Sequence, residues 1–227
     1  MSLKTYAIIT DVHGNSSSLK EAIKIINKRN DVDQIICLGD YFALGPDPMG
    51  CYQLLESLSN CIFLRGNHER YLIENLWTHE RPNLEGMSPD DPICKEIVQN
   101  EKWTAEMIGE KGRNFCNKTR IAERQIIEDT LVEFTHAWYQ RDEIPPTMDE
   151  AIAWKNHISK ANNKIKHFII VHGHTHLPRR EEEELFQNRK ILFKIMYQAQ
   201  SLNKRKDLKD LLKKNQVKKK FSNKSKR

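Results

Sequence analysis

Five short polar stretches each follow an apolar run, and that strand-then-loop pattern limits the chain more than any other feature. Asp11-Val12-His13-Gly14-Asn15 comes after Lys4–Thr10, Gly39-Asp40-Tyr41 after Gln34–Leu38, and Gly66-Asn67-His68-Glu69 after Cys61–Leu64. His136 closes the run Leu131–Thr135, and Gly173-His174-Thr175-His176 comes after Phe168–Val171. Such short apolar runs, bounded by turn residues, read as buried strands. Between the first three lie helical patterns. Ser16–Arg29 repeats Leu19, Ala22, Ile23 and Ile26 at helical spacing, with Ser16–Ser18 as N-cap candidates, and Met49–Leu58 follows suit. Alternating strands and helices imply a parallel sheet of βαβ units, an α/β fold. In open α/β sheets ligands bind at the carboxyl ends of strands, so the loops can converge on one crevice.

The middle of the chain has another character. Residues 69–118 read as a helical insertion with pieces at Tyr71–Leu76, Ile93–Gln99 and Glu101–Lys111, broken by the Pro-, Gly- and Asp-rich stretch Arg81–Pro92. Ile121–Ile127 and Leu131–Thr135 form a strand pair through Glu128-Asp129-Thr130, Asp149–Ala161 is a helix, and Ile191–Met196 is a further strand. One domain over residues 1–200 and a basic tail without fixed structure over 201–227 describe this organisation. The tail holds twelve Lys or Arg against two Asp, a net +10 within an overall +6, which leaves −4 on the first 200 residues.

Some classes fall away. No stretch approaches membrane-spanning length, and the apolar run Tyr6–Ile9 is too short for a signal peptide. Cys37, Cys51, Cys61, Cys94 and Cys116 are odd in number and lack C-x-x-C spacing, against a disulfide framework or an all-cysteine zinc site. Reduced thiols and a cytoplasmic location are expected.

Mixed Asp, Asn and His donors suit transition metals. Two ions roughly 3.5–4 Å apart can clamp a phosphate through an in-line displacement. That chemistry needs a bridging carboxylate, a few neutral ligands for each ion and an acid beside the leaving oxygen. Each motif alone is ambiguous. Asp11 could be a turn or cap residue, Asn67 could merely tolerate a left-handed backbone, and His136 could be a core histidine packed by Trp138. His172 reads as structural.

The ordered series D-x-H, G-D, G-N-H-E, an isolated His and G-H-x-H, over about residues 4–180, resembles the calcineurin-like metallophosphoesterases. That resemblance implies a four-layer αββα sandwich of two mixed β-sheets. It implies two divalent metal ions, manganese first, with iron, zinc, nickel or magnesium as alternatives. Asp11, His13, Asp40 and His176 would hold one ion, and Asp40, Asn67, His136 and His174 the other, with Asp40 bridging. A hydroxide bridging the ions would attack the phosphorus, and His68 would be the general acid, oriented by Glu69. Leu44-Gly45-Pro46-Asp47-Pro48 is similar to the small prokaryotic phosphodiesterase-like branch, so the expected substrate is a small or nucleotide-like phosphodiester. Leu64-Arg65-Gly66-Asn67-His68-Glu69 resembles the protein Ser/Thr phosphatase motif instead, which keeps a phosphomonoesterase open and makes Arg65 a candidate phosphate contact.

After Pro178 the chain departs from the family pattern. A reading-frame shift near Lys194 would turn Tyr197-Gln198-Ala199-Gln200-Ser201 into a family-like Pro-Gly-Ser-Val, with C-terminal strands altered or missing and an inactive homologue as a further reading. A nucleic-acid contact through the tail is weighed against a solvated tail. The latter is preferred, because Phe221 is the tail's one aromatic residue.

Overall fold

The computed structural model describes residues 4–84, 86–176, 180–185 and 189–194, the last two segments by their backbone. The tail, the proposed frame-shifted text and the end of the expected strand beyond Lys194 lie outside the described residues.

Strands β1 (Tyr6–Ile9), β2 (Gln34–Cys37) and β3 (Cys61–Phe63) form a parallel sheet in the order β1-β2-β3, with Ile8 beside Ile36 and Ile36 beside Ile62. Their connections are α1 (Ser16–Asn27) and α2 (Pro48–Glu56). Asn15, rather than one of the serines, caps α1 by accepting from Ser18 N at 3.0 Å. Asp47 caps α2 by accepting from Gly50 N, with Pro48 in the first turn, where its missing N–H costs nothing.

Helices α3 (Asn67–Glu74) and α4 (Pro92–Lys118) make up the insertion, and Gly109 interrupts α4 at φ 57°. The chain then enters a second sheet of β4 (Ala122–Ile127), β5 (Thr130–Thr135), β6 (His167–His172), β7 (Arg180–Leu185) and β8 (Arg189–Lys194), with α5 (Met148–Ala161) between β5 and β6. Its order is β4-β5-β6-β8-β7. The hairpins β4/β5 and β7/β8 are antiparallel, whereas β5/β6 and β6/β8 are parallel.

Strand alternation assigns the layers. Ile35 and Cys37 point to a core shared with Leu19, Leu55 and Ile108 of the helices, while Ile36 and Leu38 meet Val132, Phe134 and Val171 between the sheets. On the far face of the second sheet, Phe168 and Ile170 pack with Ala151 and Trp154 of α5. Helices, sheet, sheet and helix therefore make the expected αββα sandwich. The first sheet is parallel throughout its described strands, and the second is mixed. The carboxyl ends of β1, β2, β3, β5 and β6 lie along one rim.

Candidate metal centre

At that rim the β1–β2 ladder continues into the loops. Asp11 N donates to Gly39 O at 3.1 Å, His13 N to Asp40 O at 2.9 Å and Gly14 N to Tyr41 O at 2.9 Å. This pairing sets Asp11 and His13 beside Asp40. Gly39 lies so close to the third loop that a Cβ would stand 2.4 Å from Gly66 N. At the other side Gly173 abuts the first loop, where a Cβ would meet Thr10 Oγ1 at 2.0 Å. His174 N then donates to both carboxylate oxygens of Asp11 at 3.1 Å.

Seven of the predicted residues come together in two groups that share Asp40. Ligand atoms of Asp11, His13, Asp40 and His176 lie within 4.8 Å of one another, as do those of Asp40, His136 and His174. Asn67 Oδ1 joins the second group, 3.0 Å from His136 Nε2. Five of these seven residues have left-handed backbones: Asp11 (φ 51°), His13 (47°), Asp40 (57°), His174 (67°) and His176 (55°). Such conformations each cost on the order of 1 kcal/mol and collect where geometry serves a site.

The donor set fits a cation. Placing a proton on His13 Nδ1 and His136 Nδ1 lets them donate to Ala43 O at 3.2 Å and Leu38 O at 2.9 Å, which leaves both Nε2 lone pairs facing inward. His13 Nε2 then faces His176 Nε2 at 3.0 Å, and His136 Nε2 faces Asn67 Oδ1 at 3.0 Å and Asp40 Oδ2 at 3.2 Å. Converging lone pairs repel unless positive charge stands among them, as metal ligation provides.

The titration shifts separate the two groups. Burial disfavours a charge on His136, but Asp40 outweighs it and raises the pKa to about 10. For Asp40, burial is outweighed by His136 and His68, which hold its carboxyl well below the usual range. Asp11 is also lowered, because burial loses to the His176 hydrogen bond and to His136. His13 goes the other way: burial dominates and lowers it to about 3.

His68 stands apart from the two groups. Its backbone N–H donates to Asp40 Oδ1 at 3.1 Å, and its ring meets that of His13 edge-on, 5.1 Å away. Its Nδ1 pairs with Glu101 of α4, a fully buried carboxylate. Burial lowers the pKa of His68, but Asp40 and Glu101 raise it to about 9 overall. The expectation that Glu69 orients His68 is therefore corrected. Glu69 instead accepts from Asp40 N at 2.7 Å, Tyr41 N at 2.8 Å and Gly66 N at 2.9 Å, and so ties the second loop to the third. Burial, with the Asp40 charge, lifts Glu69 to about 7 against those donors.

Glu101 escapes sequence reading because it lies 33 residues from His68, within a charged helical stretch. One hint was present: a glutamate facing the same way as Ile97 and Ile108 is a charge on an apolar helix face. Arg65 is not brought into the group. Its Nε and Nη2 reach Thr119 Oγ1 and O at 3.4 Å, because Arg65 N and Arg120 N extend the β3 edge by backbone bonds to Arg120 O and Phe63 O. His172 is buried with Nδ1 near Gly173 O, in line with a structural role.

A cleft of about 280 Å³ opens over the groups, with His13, Asp40, Asn67, His68, His174 and His176 at its floor. The Calcineurin-like phosphoesterase family model matches residues 4–218, so the match runs on past Lys194. This chain belongs to that calcineurin-like phosphoesterase family. A symmetrical bis(5'-nucleosyl)-tetraphosphatase of Erwinia tasmaniensis is 32% identical over 72 residues, 31% of this chain and 26% of that protein. The chain thus spans about a quarter of that relative's length. The crystal structure of a hypothetical protein from Pyrococcus horikoshii superposes with TM-score 0.59 at 15% identity, covering 84% of this chain and 76% of that one. A metallophosphoesterase from Sphaerobacter thermophilus gives TM-score 0.50 at 20% identity over 85% and 76%. These two likenesses concern the fold. Among the described residues, no helix is long and apolar enough to cross a membrane.

Proposed function

We propose that the chain is a two-metal phosphodiesterase acting on a small or nucleotide-like diester, with manganese as the first candidate metal. The observation that carries this reading is one carboxylate, Asp40, shared by two groups of inward-facing donors. Asp11, His13, Asp40 and His176 would hold one ion, and Asp40, Asn67, His136 and His174 the other. When bound, two such ions supply Lewis-acid charge at the phosphoryl oxygens and lower the pKa of water. The protein's own part is positional and protonic. Ala43 O and Leu38 O orient His13 and His136, the Asp11 carboxylate anchors His174 N, and Glu101 keeps His68 charged near neutral pH. His68 is then an acid beside the departing oxygen, able to give up a proton as the P–O bond breaks.

The nucleotide-like part of the proposal draws on the similarity to the tetraphosphatase, which concerns a quarter of that enzyme's length. A cytoplasmic location fits the five free cysteines, four of them buried. The test is metal analysis of the purified chain, followed by Mn²⁺ titration of activity on bis(p-nitrophenyl) phosphate and p-nitrophenyl phosphate. Diester turnover that rises with two bound ions supports the proposal. A strong monoester preference sinks the diester assignment, and inactivity with every metal sinks the enzyme.

A further inference from the structure

One wall of the cleft differs from its floor. Leu44, Leu84, Met87 and Ile97 line it, and Leu44 and Met87 remain 42% and 40% exposed. Apolar surface left open at the mouth of a polar site is a common mark of ligand contact. The wall is also tied to His68. Ile97 and Glu101 are four residues apart on α4, hence on one helix face, and Glu101 holds His68 while Ile97 lines the cleft. Asn100, between them, accepts from Leu44 N at 2.7 Å and fastens the loop after β2 to the same helix. Tyr71 of α3 adds an aromatic edge, its ring T-shaped to that of His68 at 5.5 Å. One helix therefore supports both the acid and the apolar surface beside it.

We propose that this wall selects the leaving group: the departing alcohol carries a flat, largely apolar ring, aryl or nucleobase, that lies against Leu84, Met87 and Ile97. The inference rests on the phosphodiesterase reading above and names its substrate class. Hydrolysis adds water across one P–O bond. The departing oxygen takes its proton from His68 and leaves as the ring-bearing alcohol, and the phosphomonoester remains.

The experiment compares wild type with Met87→Ser and with Met87→Ser/Ile97→Ser, all Mn²⁺-loaded, on bis(p-nitrophenyl) phosphate and on bis(glyceryl) phosphate. Intrinsic reactivities cancel when wild-type and variant ratios are divided. The double variant is expected to lose roughly tenfold in kcat/KM on the aryl diester, mostly through KM, as for removal of apolar pocket contacts. It should lose several-fold less on the glycerol diester. Equal losses on both substrates, or none, overturn the proposal. Calorimetric binding of phenylphosphonate and methylphosphonate gives a readout without turnover. The phenyl compound should bind more tightly to wild type, with the advantage shrinking in each variant. If neither diester is hydrolysed but the phenyl compound binds wild type more tightly and loses that advantage in the variants, the phosphodiesterase reading fails while the apolar wall stands. Equal affinity for the two phosphonates overturns the wall.

Discussion

The two donor groups of the candidate metal centre share Asp40 but handle charge in opposite ways. On the outer side His13 meets His176, whose side chain is 41% exposed, and burial holds His13 neutral down to about pH 3. On the inner side His136, 1% exposed, faces two oxygens and keeps a proton up to about pH 10. Set against Asp40 Oδ2 and Asn67 Oδ1, the His136 ring favours a positive charge, which a proton can supply as well as an ion. On the proposed two-ion reading, loading the inner half would exchange a proton for an ion, while the outer half would take an ion without releasing one from His13. Inner-ion affinity should therefore climb with pH over a wider range than outer-ion affinity.

The sharpest way to break this comparison is to remove what the halves share. Asp40→Asn should lower turnover on the order of a thousandfold, the upper range for one electrostatic contact at a reacting centre, and reduce bound metal below two ions. Near-normal turnover with two ions bound would show that the halves do not depend on a common carboxylate. Next in size, Glu101→Gln should lower kcat by roughly a hundredfold while leaving metal content intact, since a positioned general acid contributes on that scale. The alkaline limb of its pH–rate profile should move to lower pH as His68 loses a stabilising charge. An unshifted profile would detach Glu101 from His68. Single-ligand changes separate the halves directly. His136→Ala and His176→Ala should each weaken one ion by about 10- to 100-fold or more, judged against the cost of losing even an indirect metal contact. In titrations followed by calorimetry, the His136 variant should also release fewer protons per ion. Equal proton release from both variants would erase the distinction.

The smallest effect is on the stability of the metal-free protein. His136 and His68 have folded pKa values of about 10 and about 9, above the ordinary 6.5. Their contribution is complete below pH 6.5 and is lost as pH rises toward 9 and 10. His13, at about 3, behaves inversely: its contribution is complete above 6.5 and is lost as pH falls toward 3. Urea midpoints of the metal-free protein should fall on both sides of neutrality. Saturating Mn²⁺ should flatten the alkaline decline, because a bound ion replaces the proton on His136. A metal-free protein that gains stability steadily toward pH 10 would contradict the inner-half assignment.

The two regions also differ in how far they can be read without coordinates. The outer and inner donors were legible because each ends an apolar run, and strand ends in such sheets share a rim. Boundaries shifted little: the expected Ser16–Arg29 is α1 at Ser16–Asn27, and Asp149–Ala161 is α5 at Met148–Ala161. What stayed hidden depends on contacts between elements far apart in the chain. Glu101 is a charge on an apolar helix face, but its partner stays hidden until α4 meets the loop after β2. Glu69, next to His68 in the chain, faces the other way because it closes the first turn of α3 on Gly66 N. Arg65 was read from a local motif, yet the neighbouring segment at Thr119–Arg120 draws its side chain off. β7 was missed because four successive glutamates have low strand propensity, so pairing with β8 overrides local preference.

The close seat of Gly173 against Thr10 and Asp11 bears on how the molecule is made. Its donors are gathered from both ends of a span of 163 residues, as the His174 N bond to Asp11 records. A ribosome delivers Asp11, His13 and Asp40 long before the glycine that completes their enclosure. Until then the first loops lack the two donors that follow β6, His174 and His176. Long-range closure of this kind comes late in folding. Premature capture of an abundant cation would thus meet an incomplete coordination sphere, and secure retention would begin only once β6 has docked. The last donors to arrive, His174 and His176, would act as a latch, so the point at which an ion is held would depend on folding order as well as on ligand chemistry.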